Sequence, residues 1–177
     1  MRIADVDFIL VPEWLARPSD GQPDDDHWIS RWQRNFANAR WLQVGRDEPP
    51  QSALVTQAGA SKRSTIVVTH GHGVDVLVGA SGRLAGTPVI GAFIVAPAPS
   101  PAVLQQHQGA LGFRSILIAP SDHPDHSAHQ ARQFADRLGS FHVDAGAAGR
   151  LNSASGQGPW PEGLLKLGWF LKQLTVH

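Results

Sequence analysis

The sequence contains no cysteine, which excludes disulfide bonds, thiolate zinc sites and a cysteine nucleophile. Net charge is also lacking, because 15 basic residues balance 15 acidic ones, so no overall field attracts nucleic acid or an anionic membrane surface. No apolar run approaches the ~18 residues of a membrane span, and the run at residues 8–11 is too short for a signal-peptide core. These absences predict a soluble, cytoplasmic protein that binds neither nucleic acid nor membrane.

What the sequence does contain is an alternation of short apolar runs with segments of helical periodicity. The 177 residues suffice for a single domain, 1–177, with one substantial core. The alternation is typical of an α/β fold, with a mostly parallel central sheet and helices on both faces. The predicted strands are residues 6–11, 40–44, 65–69, 89–95, 115–118 and 140–143.

Helix boundaries are indicated by charge, glycine and proline. The acidic cluster at residues 24–26 predicts the start of the first helix. A later helix is expected to end at Gly139, and the last to open at Pro159-Trp160-Pro161-Glu162. Residues 45–63 are predicted to be the most loop-like stretch, because they are rich in Pro, Gln, Gly and Ser. The first helix places four apolar residues on one face: Trp28, Ile29, Trp32 and Phe36.

The segment Thr69-His70-Gly71-His72-Gly73 lies where an apolar run gives way to a helical pattern. In α/β-hydrolases a strand, a sharp turn and a helix carry the nucleophile, within G-x-S-x-G or a variant such as H-S-x-G. Gly71 occupies the serine's place. Since glycine adopts the strained turn without steric cost, we expect the turn to form without an attacking hydroxyl.

Further motifs occur in order along nearly the whole chain, and the most specific is the run Gly-Ala-Ala-Gly-Arg-Leu-Asn-Ser-Ala-Ser-Gly at residues 146–156. The others lie in residues 11–14, 26–32, 70–73, 96–97, 121–124 and 158–163. Together they resemble the YdeN-like serine hydrolases, the family of retinoblastoma-binding protein 9. The resemblance implies a three-layer α/β-hydrolase fold without a large lid.

The same resemblance implies where a catalytic triad would lie. Family members carry Ser, Asp and His in that chain order, and these positions correspond here to Gly71, His123 and Arg150. All three are substituted. An arginine stays protonated and cannot act as a general base, and a histidine cannot orient it as an aspartate orients a histidine. Glu13 stands where the family usually has a glycine beside the oxyanion hole, and a carboxylate there would repel a developing oxyanion.

Several polar residues are expected to line the pocket that such a fold would retain. We expect Glu13 and Arg150 to approach each other above Gly71 and to form an ion pair. The predicted pocket residues are Glu13, Trp14, His70, His72 and Asp122.

Three other interpretations of these residues are less favoured. The histidines and aspartates after the predicted strands could suggest a metal site, but H-E-x-x-H is absent, and we predict neither a metal nor a cofactor. Gly71 and Gly73 could suggest a phosphate loop, but G-x-x-x-x-G-K-[ST] is absent. Ser153 and Ser155 could replace the nucleophile, but they follow the triad histidine's position in a segment whose family role is structural.

Two functional hypotheses follow. The leading one is a pseudoenzyme that has lost serine hydrolase activity, keeps its pocket and binds an unknown small molecule or protein. The alternative is a hydrolase with altered chemistry in the same pocket. In that case His72 or His123, with Asp122, would act as a base toward water or support a metal-bound hydroxide.

Overall fold

A single parallel sheet forms the centre of the computed structural model, which describes residues 1–16, 24–107 and 109–175. The six strands are ordered β2-β1-β3-β4-β5-β6 and pair in parallel throughout. The predicted sheet is confirmed, although β2 ends three residues before the predicted boundary. The strands are β1 (Asp7–Val11), β2 (Ala39–Trp41), β3 (Thr65–His70), β4 (Val89–Val95), β5 (Arg114–Ala119) and β6 (Phe141–Asp144).

Helices connect the strands. The prediction of the first helix is corrected in two ways: a one-turn helix, α1, precedes it, and the longer helix begins at Trp28 rather than in the acidic cluster. His27 caps that helix, because its Nδ1 accepts a hydrogen bond from the backbone N–H of Ile29. The helices are α1 (Glu13–Ala16), α2 (Trp28–Asn35), α3 (Pro50–Ala60), α4 (Val74–Ala80), α5 (Pro101–Gln106), α6 (Ala128–Leu138) and α7 (Pro161–Gln173).

The prediction of a loop at residues 45–63 is wrong, because α3 occupies most of this stretch. Pro50 lies in the first turn of the helix, where its missing N–H costs nothing. Leu54 and Ala58 are fully buried against the sheet. Burial of this face stabilises a helix that its composition alone did not indicate.

The two faces of the sheet carry separate apolar clusters. Side chains from α3, α4 and α6 cover one face, including Leu54, Leu77 and Phe134. Side chains from α2 and α7 cover the other, including Trp28 and Phe170. Helices therefore lie on both faces, as predicted, and give the domain three layers.

The ends of α6 agree with the sequence prediction. Ser127 and Gln130 form a capping box at its start, and Gly139 ends it in the left-handed conformation with φ 65°. In the described part of the chain, no helix is long and apolar enough to cross a membrane. Because all strands are parallel, the loops that follow them meet at one edge of the sheet, which is where ligands bind in such folds.

Candidate functional site

The turn between β3 and α4, formed by Gly71–Gly73 and called here the Gly71 turn, has the backbone that a nucleophile would need. Gly71 has φ 54°, a left-handed conformation that favours glycine. Gly73 lies so close to the Val11 carbonyl oxygen that a Cβ there would clash with it. The sharp turn predicted from the sequence is therefore present.

Glu13, at the start of α1, occupies the space directly above Gly71. A Cβ atom built on Gly71 would lie 2.5 Å from Oε1 and 2.6 Å from Cδ of Glu13. Real Cβ atoms do not approach other atoms so closely, so a side chain at position 71 requires the Glu13 carboxylate to move. A side chain at position 71 and the Glu13 carboxylate would therefore compete for the same space, in addition to the repulsion between the carboxylate and a developing oxyanion.

His72 points its ring between the turn and the chain that follows β4. Its Nδ1 lies 2.6 Å from the carbonyl oxygen of Ala98, and a carbonyl only accepts, so Nδ1 carries the hydrogen. In the neutral ring Nε2 is then an acceptor. This Nε2 lies 3.8 Å from Oε1 of Glu13, and the two side chains are 11% and 23% exposed.

His70 lies beneath the site rather than in it. The ring is buried, and its Nε2–H donates to the carbonyl oxygen of Arg150 over 2.9 Å. Burial lowers the pKa of His70, which keeps the ring neutral. The ring also contacts His27 at a centroid distance of 4.8 Å. His70 therefore holds the loop that carries Arg150.

Asp122 and His123 follow β5 and have structural partners. Asp122 Oδ1 accepts hydrogen bonds of 2.8 Å from the backbone N–H groups of Ala148 and Gly149. The bond from Gly149 makes the largest contribution to the lowered pKa of Asp122. His123 Nδ1 accepts from the backbone N–H of Asp125, and burial lowers the pKa of His123. Asp122 thus shapes the loop that precedes Arg150.

The predicted ion pair between Glu13 and Arg150 is wrong. Arg150 Nη1 lies 2.6 Å from Oδ2 of Asp125, and in the described ranges the basic side chain beside the Glu13 carboxylate is that of His72, at 3.8 Å. The reason is tertiary: Asp122 ties the Arg150 loop to the segment after β5, where Asp125 is the nearer carboxylate.

Ser153 and Ser155 have structural hydrogen bonds. Ser155 Oγ donates to Oδ1 of Asn152 and accepts from the backbone N–H of Arg150. Ser153 Oγ donates to Oδ1 of Asp24. Both hydroxyls stabilise the loop, which agrees with the structural role expected for this segment.

An open cavity of about 590 Å³, called here the central cavity, lies beside the Gly71 turn. Within the described residues, no group of three or more His, Asp or Glu side chains is arranged to hold a metal ion. The residues lining the cavity are Glu13, His72, Pro99, Ser100, Pro101, Leu104, Asp125, His126 and Arg150.

The sequence prediction of the pocket is only partly matched by this lining. Glu13 and His72 line the central cavity, whereas Trp14 lines a different one together with Trp41. The wall formed by Pro99, Ser100 and Leu104 was not predicted from the sequence. The available signal was Ser100-Pro101, a helix start in which Ser100 Oγ accepts from the Val103 N–H, but it gave no indication of where α5 packs.

Comparisons with known proteins place the chain in a family and a fold. The family model described as Serine hydrolase matches residues 9–169. A search of curated proteins finds no match. A crystal structure described as that of a YdeN-like hydrolase from Pectobacterium atrosepticum is 25% identical, with a TM-score of 0.80 over 96% of this chain and 92% of that one.

Two more distant structures share the fold. The ydeN gene product from B. subtilis is 14% identical, with a TM-score of 0.65 over 94% of this chain and 98% of that one. A protein from Agrobacterium tumefaciens, described as of unknown function and as a candidate α/β-hydrolase, is 13% identical, with a TM-score of 0.66 over 100% of this chain and 90% of that one. The three-layer α/β-hydrolase fold is thus confirmed.

Proposed function

Because the chain belongs to the serine hydrolase family, we propose that it is a member that has lost the family's serine-dependent chemistry and uses the central cavity to bind a small molecule. One observation carries this proposal: the Glu13 carboxylate occupies the space into which a nucleophile's side chain at position 71 would extend. A fold supports many activities, so the residues of the site, and not the family, indicate the loss of serine chemistry.

The other two triad positions support the same proposal. The Arg150 guanidinium is paired with Asp125, and a guanidinium cannot act as a general base. His123 accepts a hydrogen bond from its own loop. A carboxylate above the turn would also oppose the negative charge that develops on an oxyanion. The cavity itself persists, with polar and apolar walls suited to a small ligand.

The alternative of altered chemistry finds its support at His72. With Nδ1 donating to Ala98, the ring presents Nε2 toward Glu13 as a base would. The version that uses metal-bound hydroxide lacks a set of three ligands in the described chain. Within the described residues, the geometry therefore supports the alternative in which His72 acts as the base and not the one that uses a metal-bound hydroxide.

We expect fluorophosphonate probes to leave the protein unlabelled and short acyl esters to turn over no faster than without protein, because no activated hydroxyl lies at position 71. Labelling is measured by intact mass, with a serine esterase treated in parallel as the control. Stoichiometric labelling of any serine would contradict the proposal. Ester turnover that disappears in His72→Ala would instead favour the alternative.

Restoring the serine alone should not restore activity. Triad residues act as a unit, and Gly71→Ser leaves the Glu13 carboxylate in the way of the new hydroxyl. The triple variant Gly71→Ser, His123→Asp, Arg150→His should remain weak, and adding Glu13→Gly should raise its kcat/KM by about tenfold or more, by removing a charge from the oxyanion site. Esterase activity in Gly71→Ser alone would show that the other two triad positions are assigned wrongly.

A further inference from the structure

The inner end of the central cavity contains two hydrogen-bond acceptors without a donor between them. His72 Nε2 is an acceptor in the neutral ring, because Nδ1 carries the hydrogen that Ala98 accepts. Glu13 Oε1 lies 3.8 Å away, which is beyond a normal hydrogen bond. Within the described ranges no other hydrogen-bond donor or ion partner contacts the Glu13 carboxylate. Both side chains line the open central cavity, so this pair of acceptors is accessible to a ligand that supplies donors.

The charges around the cavity define the kind of donor. Of the charged side chains that line it in the described chain, Glu13 and Asp125 are carboxylates and Arg150 is the guanidinium. Arg150 is already paired with Asp125 at 2.6 Å. In the described chain the Glu13 end of the cavity therefore carries a carboxylate with no Lys or Arg paired to it. A cationic donor complements it better than a neutral one.

An ammonium group fits this position. Charge-assisted hydrogen bonds are about 2.7–2.9 Å long, so one nitrogen can reach two acceptors that are 3.8 Å apart. A primary ammonium has three donors and uses two of them here.

The apolar side chains next to the ammonium position indicate the chemistry of the rest of the ligand. Leu104 and Pro99 line the central cavity and also a neighbouring cavity of about 190 Å³, which extends to Phe134 and Ala131 on α6. The two cavities therefore share a wall on which an alkyl chain can lie. Burial of such a chain contributes about 0.8 kcal/mol per methylene group.

We propose that the central cavity binds a primary alkylammonium compound, with its nitrogen between Glu13 and His72 and its chain against Leu104 toward Phe134. This inference rests on the proposed function, because it assigns the ligand class of a site that no longer performs serine chemistry. It requires the Glu13 carboxylate in its present position above Gly71.

The test is calorimetric titration at neutral pH with three probes of equal length: n-pentylamine, n-pentanol and pentanoate. The buffer is phosphate, since an amine buffer would compete. We expect pentylamine to bind at least tenfold more tightly than the alcohol or the acid. Equal affinity for the three probes would overturn the inference, as would no binding of pentylamine, which would mean that water alone occupies the acceptor pair.

Variants identify the site. Glu13→Gln should weaken pentylamine binding by about tenfold or more, the loss typical of a charge-assisted hydrogen bond. Glu162→Gln, which changes an exposed carboxylate on α7, should leave binding unchanged. Unaltered binding to Glu13→Gln would overturn the assignment. Fluorophosphonate labelling of the same sample separates the two proposals: absence of labelling together with absence of amine binding refutes the ligand class and not the loss of serine chemistry.

Discussion

Replacing Trp28 by alanine is expected to lower the free energy of unfolding by about 3–5 kcal/mol. The side chain is fully buried, and its Nε1–H donates to the carbonyl oxygen of Leu151 over 2.9 Å. Its ring contacts Trp32 at 4.9 Å and Trp160 at 5.1 Å between centroids. The substitution leaves a large cavity and also strands a buried carbonyl, so it should loosen the loop that begins at Arg150.

The measurement is urea unfolding of wild type and variants. Trp28→Phe keeps most of the ring and loses the N–H, so it should cost less than alanine and isolate the hydrogen bond to Leu151. Trp169→Ala removes a tryptophan that is 42% exposed and should cost about 1 kcal/mol or less. Equal losses for Trp28→Ala and Trp169→Ala would contradict the central role of Trp28.

Acidification should destabilise the protein well before its carboxylates are protonated. Burial is the main cause that lowers the pKa of His27 from its ordinary value of 6.5 to about 3. Burial lowers the pKa of His70 as well. The unfolded chain therefore binds more protons than the folded one between pH 6.5 and about 3, and stability in this window rises with pH.

The expected loss is up to about 1.4 kcal/mol per pH unit for each buried histidine toward the acidic end of the window. It is measured as the free energy of unfolding between about pH 7 and about pH 5.3, where most carboxylates are still ionised. His27→Asn keeps an acceptor for the N–H of Ile29 and removes the titrating ring, so its slope should be smaller. His129→Asn, on an exposed part of α6, should keep the wild-type slope. A slope unchanged by His27→Asn would show that this histidine does not cause the acid sensitivity.

Local sequence patterns predicted most of the strands and helices that form the layers of this protein. The reason is that these elements depend mainly on residues close to one another in the sequence. The strand β4 (Val89–Val95) was predicted with its observed bounds, since a run of buried apolar residues is visible without tertiary information. Gly139 was predicted to end α6 because the left-handed conformation at a helix end favours glycine. The helix α3 (Pro50–Ala60) was missed, because burial against the sheet rather than composition stabilises it.

At the candidate site, too, some features follow from the sequence and others only from the tertiary structure. The sequence alone determined that position 71 has no hydroxyl and that its glycine can adopt the sharp turn, because both are properties of one residue and its backbone. Only the tertiary structure decided that the Glu13 carboxylate fills the space above Gly71 and that Arg150 pairs with Asp125. Those contacts join loops that follow different strands, and side-chain partners a few ångströms apart depend on how the loops are tied together, which no local pattern records.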